Sequence, residues 1–524
     1  MIKMRRLHIT LVPSVADLIF TAIFLLLFFF EKSRLLGDCD TGYHIRAGEY
    51  ILRTRSVPTF DIFSYHSPPL PWTAHEWLSE VIMAVIQSRF GLTGVDAFFA
   101  ALLALTTALL FKILRRHQTD ILLSSLVTVA ALGAFQIHWL ARPHIFSFLL
   151  MVIYHYLLES WQRDDFNRLY LLPPMMLVWV NLHGGYLGGF LLLGAYLAGT
   201  AAGPFTAPPA ERAPHLRRVK ELAVTTAACL AVCLLNPQGY RILLFPFKLV
   251  GDSYIMDHIA EFMSPDFHQM APFKYLLLLL IALFALSRQR LEVTELVLVL
   301  LFTNMALYSA RYIALFALVT APIVTRRAAG AGEMAGGKIV EFWRKRSQNI
   351  AGSDARARGH LWPVAAVVLV VWASWTGMVV HSFDPKLKAV AAGEFLMRER
   401  IKGNMFNNDE IGDYIIYRTY PSYKVFFDGR SDMYGAARMK EYFQVMKFQP
   451  GWEKILEKYQ VTWIIFDTDS DFARFLLGNR DWSLIYSDKV ASIFVKNLPQ
   501  YSGLIQKYRG IQPARYRAES EAIE

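Results

Sequence analysis

Eleven mostly apolar runs recur along the chain, at about 13–31, 93–112, 120–140, 144–160, 169–183, 186–203, 220–235, 272–287, 291–308, 312–325 and 361–381. In lipid every backbone N–H and C=O must be satisfied within the protein, so a run of roughly 20 such residues reads as a helix crossing about 30 Å of hydrocarbon. With 54% hydrophobic residues among 524 and a mean hydropathy of +0.31, the expected fold is an α-helical polytopic membrane protein of about eleven spans. The fifth and sixth runs are one stretch, 169–203, interrupted at Asn181-Leu182-His183-Gly184-Gly185. At 1.5 Å per residue that stretch is too long for one crossing.

Basic residues test the count. Lys3, Arg5 and Arg6 precede the first run; Lys112, Arg115 and Arg116 follow the second, and Arg163 and Arg168 the fourth. Arg212, Arg217, Arg218 and Lys220 follow the sixth, Arg288 and Arg290 the eighth, and the loop 326–358 carries eight Lys or Arg. Two crossings within 169–203 put all of them on one side. By the positive-inside rule the N-terminus is then cytoplasmic and the C-terminal part external to a cytoplasmic (inner) membrane. Glu31-Lys32-Ser33-Arg34 directly after the first run leaves no small-residue cleavage site, so the run reads as a retained span. The net charge of +11 follows from this bias and favours contact with anionic membrane lipids; nothing marks a nucleic-acid partner. Three cysteines support no disulfide framework.

The first outer loop, 32–92, carries the densest chemistry: Asp38-Cys39-Asp40-Thr41-Gly42-Tyr43-His44. Carboxylates two apart can converge on a divalent cation such as Mg or Mn, or take the proton of a reacting hydroxyl; a solvated acidic turn is the plain alternative. If a helix starts at Asp40, His44 is its same-face neighbour, while Asp38 after Gly37 suits a cap. An amphipathic segment to Leu52 follows, then Val57-Pro58, an aromatic stretch from Phe60 to Trp72, a helical segment opening at Glu76-Trp77, and Phe90-Gly91. Lys32, Arg34, Arg46, Arg53 and Arg55 break the charge rule here, for which phosphate binding is the one account.

This order resembles the first outer loop of the GT-C superfamily of membrane glycosyltransferases, the protein O-mannosyltransferase and lipid A aminoarabinose transferase type, over roughly 10–115. The resemblance implies a GT-C-like fold and an inverting transfer of sugar from a polyprenyl-phosphate donor to a glycan, lipid or protein acceptor at the outer face. It places the catalytic carboxylate at Asp40 or Asp38, with His44 orienting it or all sharing a metal. Two departures stand out. Many relatives have adjacent acidic residues, and the Glu-Lys-Pro-Pro turn of the aminoarabinose type is replaced by Pro71-Trp72-Thr73-Ala74-His75-Glu76. A transporter or lipid flippase, or a non-catalytic envelope assembly protein, are the competing classes. Ionisable groups such as Asp17, Asp96, Glu292 and Glu295 fall near span ends, whereas coupled transporters put theirs near the midplane.

The outer ends of the spans are polar. Arg142 and Arg311 are candidate ligands of the donor phosphate, since a guanidinium at the hydrocarbon boundary needs an anionic partner. His144, Asn181, His183, Glu76 and Tyr308 are candidate substrate contacts. Each has a structural alternative: snorkelling for Arg142, backbone satisfaction at the Gly184-Gly185 break for Asn181 and His183. Asn236-Pro237 and the segment from Asp257 to Phe262 complete the polar ceiling.

Residues 1–381 are thus expected as the membrane domain, 382–500 as an external α/β domain, and 501–524 as a polar tail. Helical patterns cover 389–401 and 436–448; strands are expected at 424–428 and 461–466, with a hairpin of 482–486 and 491–496. Asp428-Gly429-Arg430-Ser431-Asp432 follows an expected strand, where α/β proteins place ligand loops; a structural Asp–Arg turn is the alternative.

Overall fold

The computed structural model describes residues 11–514 except 32, 118–119, 164, 207–211, 269–270, 288–289, 335–336 and 358. Lys3, Arg5, Arg6, Lys32, Arg288, Arg358 and the tail beyond 514 lie outside the described residues. The chain divides into two units: Met1–Leu35 with Thr93–Pro246 and Met256–Val380, and Leu36–Leu92 with Phe247–Ile255 and His381–Glu524.

In the first unit each apolar run is helical. Val15–Leu25 continues as a π turn, Leu26–Phe30; Trp77–His117 carries the second run beyond a break at Gly91, where φ is +63°. Then come Ile121–Phe135, His144–Gln162, Leu172–Leu182, Tyr186–Thr206, Arg212–Cys233, Ala271–Leu286, Val293–Tyr308, Ile313–Met334 and Leu361–Trp375. Among the described residues, four helices are long and apolar enough to cross a membrane, and five more are shorter but apolar. The run 169–203 breaks where its polar residues predict: His183 is extended (φ −166°, ψ 146°) and a new helix opens at Tyr186.

Leu361–Trp375 shows why lipid is the solvent. Of its residues Ala366, Val370 and Ala373 are buried, while Val364, Val368, Val371 and Trp375 are exposed. An apolar face of that size on one helix is stable only against lipid or another apolar surface. At the opposite extreme, the buried Glu159, Glu295 and Arg327 and the partly buried Arg326 are ion-paired. Glu295 lies 3.0 Å from Arg326, which also holds Glu159, so one charge cluster pins the His144–Gln162, Val293–Tyr308 and Ile313–Met334 helices together. Losing one partner would strand a buried charge.

The second unit is built on a four-stranded sheet of β1 (Asn404–Asn407), β2 (Val461–Asp467), β3 (Trp482–Ser487) and β4 (Ala491–Lys496), in the order β1-β2-β4-β3. β1 and β2 are parallel; the other pairs are antiparallel. Helices Val390–Glu399, Asp409–Thr419, Ser431–Met446, Trp452–Lys458 and Asp471–Gly478 surround it. The hairpin and β2 stand where the alternation predicts. The expected strand at 424–428 does not form. Its backbone is satisfied otherwise: Phe426 N donates to Asn407 Oδ1 (2.9 Å), Asn407 Nδ2 donates to the Phe427 carbonyl (2.7 Å), and Val425 N donates to the Phe63 carbonyl (3.0 Å). A side-chain amide and the first outer loop take the place of a neighbouring strand, so the apolar run is buried without joining the sheet.

Candidate active site

In the second unit a helix, Asp40–Thr54, opens at the sequence's most conspicuous carboxylate. The Asp40 N–H donates to Asp38 Oδ1 at 2.8 Å, so Asp38 is engaged in shaping the turn into the helix. Asp40 is 8% exposed. Two residues on, Gly42 permits a close helix crossing: a Cβ there would lie 2.6 Å from Tyr417 Cβ and 3.2 Å from the Asp413 carbonyl. The crossing helix, Asp409–Thr419, brings in Asp413, buried and hydrogen-bonded to Asp40. Gly429 N donates to both Asp413 oxygens at 3.1 and 3.2 Å. Burial first, then the charges of Asp40 and Asp428, push the Asp413 carboxyl well above its ordinary range. Two carboxyl groups this close resist ionising together, and this shift favours the protonated form of Asp413 in its hydrogen bond with Asp40.

Around them Arg430 is 2% exposed and forks onto Asp428, with Nε to Oδ1 at 2.8 Å and Nη2 to Oδ2 at 2.6 Å. The same Nη2 reaches Asp61 Oδ1 at 2.8 Å, and the guanidinium lies 4.9 and 4.6 Å from the Phe63 and Trp72 rings. Against the upward push of burial, Arg430 and Ser64 hold the Asp61 carboxyl below its ordinary range. The Asp428–Arg430 turn is therefore structural, and it sets the position of Gly429 beneath Asp40.

His44 is buried with Nδ1 3.3 Å from Glu80 Oε1 and Nε2 3.7 Å from Glu76 Oε2. Burial, then Glu76, raises the Glu80 carboxyl well above its usual range. Glu76 and Glu80 line a small recess with Tyr43, Trp72, His75, Arg430 and Asp432. A divalent ion shared by Asp38 and Asp40 would need both to turn the same way. Asp38 Oδ1 is instead bonded to the Asp40 N–H, and among the described residues no three His, Cys, Asp or Glu are grouped to hold a metal. The second Asp38 oxygen and the Asp40 carboxylate are the groups that would hold a divalent ion, and no step below is routed through one.

The remaining candidates lie in the first unit, where they form a linked series. Asn236 Nδ2 donates to Asn181 Oδ1 (3.0 Å) and to the Val180 carbonyl (3.1 Å). His183 Nδ1 accepts from Ser147 Oγ (2.7 Å) and from Gly185 N (2.9 Å), and its ring is 6.4 Å from His144. His144 Nε2 donates to the His138 carbonyl (2.8 Å). Arg142 Nη1 reaches Glu261 Oε1 at 2.8 Å, and Arg311 Nη1 lies 4.0 Å from Glu261 Oε2. The nearby Arg142 charge, with that of Arg311, holds the Glu261 carboxyl far below the usual carboxylate range. Tyr308 stands aside: its backbone carbonyl accepts from Ser264 Oγ (3.3 Å), while its side chain is half exposed.

No protein-family model and no curated protein matches the chain. Solved structures do. The oligosaccharyltransferase AglB of Archaeoglobus fulgidus, in complex with an inhibitory peptide and a dolichol-phosphate, superposes with a TM-score of 0.55 at 13% identity, over 93% of this chain and 74% of that one. The apo form of the Archaeoglobus fulgidus oligosaccharyltransferase gives 0.53 at 11% identity, over 92% and 74%. ArnT of Cupriavidus metallidurans bound to undecaprenyl phosphate gives 0.49 at 12% identity, over 92% and 98%. The chain has the GT-C fold. The archaeal superpositions carry that statement, and they span nearly the whole chain, well beyond the 10–115 stretch in which the sequence resembles GT-C enzymes.

Three groups of this chain escape a reading of the sequence alone. Asp413 is one; its signal is a lone carboxylate among Ile411, Tyr414, Ile415 and Ile416, all buried in a helix capped by Asn408. Glu80 is another, set one turn after Glu76 so that both reach His44. Asp61 looks like a turn residue and becomes half of the Arg430 clamp.

Proposed function

We propose that this GT-C protein is a membrane glycosyltransferase that moves a sugar from a polyprenyl-phosphate donor to an acceptor hydroxyl or amide on the outer face of the membrane. The observation that carries the reading is the buried Asp40–Asp413 pair. Where one carboxyl of a close pair is shifted toward its acid form, the other is the natural base of the two. Asp40 takes the acceptor proton as the acceptor attacks the anomeric carbon. The new bond forms there, the bond to the phosphate oxygen breaks, and the lipid phosphate leaves with the electron pair. A single displacement of this kind inverts the anomeric centre. His44, held by Glu76 and Glu80, keeps the helix face of Asp40 in place.

Arg142 and Arg311 are assigned the donor phosphate, and His144, Asn181 and His183 the polar wall beside it. The archaeal neighbour with dolichol-phosphate bound supports a lipid-phosphate ligand for this fold. Glu76 is assigned to the recess and Tyr308 to an exposed contact. Orientation follows the basic loops: N-terminus in the cytoplasm, C-terminal unit outside, with 382–500 as the α/β domain.

The test is incubation of the purified protein in nanodiscs with a panel of polyprenyl-phosphate sugars and envelope glycan, lipid and peptide acceptors. Mass spectrometry should show release of polyprenyl phosphate coupled to a heavier acceptor. Unchanged donor, together with lipid movement across protein-only vesicles, would establish the transporter class instead.

A further inference from the structure

Arg142 and Arg311 are already engaged by an anion that the protein itself supplies. Glu261 offers one carboxylate oxygen to each, at 2.8 and 4.0 Å. Its backbone is not free to move away. The Glu261 carbonyl accepts from Ser309 Oγ (3.0 Å), Ala310 N donates to the Met263 carbonyl (2.9 Å), and the buried Phe262 ring lies 5.2 Å from the Arg311 guanidinium. The Ala260–Phe262 turn is thus fastened to the corner at 309–310. The side chain is different: that of Glu261 is 34% exposed, against 14% for Arg142 and 29% for Arg311. The carboxylate, the most exposed of the three charged groups, has room to rotate toward water when a second anion takes its place.

We infer that Glu261 is a resident counter-anion that occupies the arginine pair and must yield it to an incoming phosphate. The inference rests on the assignment of that pair to the donor phosphate. A phosphate presents three acceptor oxygens on one centre and can span both guanidinium groups, where the carboxylate makes one short and one long contact. Phosphate therefore wins the pair, at an affinity lowered by the competition. The consequence is a site that stays charge-balanced when no donor is bound and does not hold the departing lipid phosphate too tightly. Glu261 then sets affinity and release without touching the reacting carbon.

The experiment measures binding of undecaprenyl phosphate to the full-length protein in neutral-lipid nanodiscs, with undecaprenol as the uncharged probe. Glu261→Gln keeps size and hydrogen bonding but removes the competing charge. It should bind undecaprenyl phosphate about tenfold more tightly than the parent, leave undecaprenol binding unchanged, and lose the gain when Arg311→Gln is added. Glu261→Asp, which retains the charge, should stay near the parent value and shows that the site tolerates change. Equal or weaker phosphate binding by Glu261→Gln overturns the proposal, because Glu261 then serves to orient the arginines. If parent and variant alike fail to distinguish the phosphate from the alcohol, the assignment of the arginine pair to phosphate fails as well.

Discussion

Asp413 hydrogen-bonds Asp40 from a neighbouring helix, and the Gly429 N–H donates to both Asp413 oxygens at 3.1 and 3.2 Å. The upward shift of Asp413 favours its neutral form in that hydrogen bond. The first consequence concerns pH. Asp413 has its folded pKa raised above the ordinary 3.8, so between those two values the folded protein binds more protons than the unfolded chain. Stability then falls as pH rises through that window. Asp413→Asn keeps a donor for Asp40 and an acceptor for Gly429 N while removing the titration. Thermal unfolding midpoints of the parent should drop more steeply than those of Asp413→Asn as pH is raised above the ordinary carboxylate value of 3.8. Parallel curves would show that Asp413 does not titrate there.

Asp40 and Asp38 should separate cleanly. Asp40→Asn removes the proposed base and should lower the transfer rate by at least about a hundredfold, the lower range for general-base loss. Asp38→Asn retains an oxygen that can accept from the Asp40 N–H, so it should cost less than tenfold in rate. Asp38→Ala should additionally lower stability by about 1 kcal/mol, as for loss of a cap. Donor turnover by the three variants, assayed alongside their unfolding midpoints, checks the order; a larger loss from Asp38→Asn than from Asp40→Asn would move the base to Asp38.

Much of this was legible in the residues, and the exceptions have physical causes. Long apolar runs and the break at His183 could be read directly, because backbone satisfaction in lipid allows few alternatives. The helix start at Asp40 and the turn role of Asp38 were implied by spacing. The run 424–428 misleads because burial and strand membership differ: Asn407 satisfies its backbone through a side chain, which no local pattern announces. Asp413 and Asp61 are distant from Asp40 and Arg430 in sequence, and only tertiary packing pairs them. Arg142 and Arg311 were marked by the need of a guanidinium for an anion, but the anion in the structure is Glu261, a residue that looks like ordinary loop polarity.

Arg430 supports the second unit through two carboxylates and two rings. Arg430→Met fills the space but strands Asp61 and Asp428, and should destabilise by about 3–5 kcal/mol, the range for breaking a buried ion pair. Arg430→Lys should recover only part of that, because an ammonium lacks the planar fork. Unfolding midpoints of protein purified in detergent, with protease sensitivity of the 381–514 region, measure the effect. A parent-like Arg430→Met protein would remove the clamp from the account.

Orientation can be tested without background labelling, since Cys39, Cys229 and Cys233 are all buried. Lys489 lies exposed at the turn between β3 and β4. With the C-terminal unit outside, Lys489→Cys in intact spheroplasts should react with a membrane-impermeant maleimide as fully as in lysed ones. Labelling only after lysis would reverse the topology that the basic loops imply.

Gly429 provides the sharpest test of the Asp40 geometry. A Cβ at that position would lie 2.4 Å from Asp40 Oδ1 and 3.0 Å from Asp413 Oδ2, closer than side-chain atoms tolerate. The obstruction falls on two carboxyl groups and on no apolar core contact, so Gly429→Ala should leave the unit folded, with a stability change within about 1–3 kcal/mol, the range for overpacking. Its effect on transfer should be larger. Displacing a base by around 1 Å can cost about a hundredfold in rate, and either carboxyl must shift by a comparable amount to admit the methyl. The prediction is therefore a loss of about a hundredfold in kcat with donor binding unchanged, because the phosphate is assigned to arginines of the other unit. Measuring donor affinity and turnover on the same preparation decides it. Full activity in a folded Gly429→Ala protein would mean that the position of Asp40 against Asp413 does not matter to the reaction, and Asp40 would lose its claim to be the base.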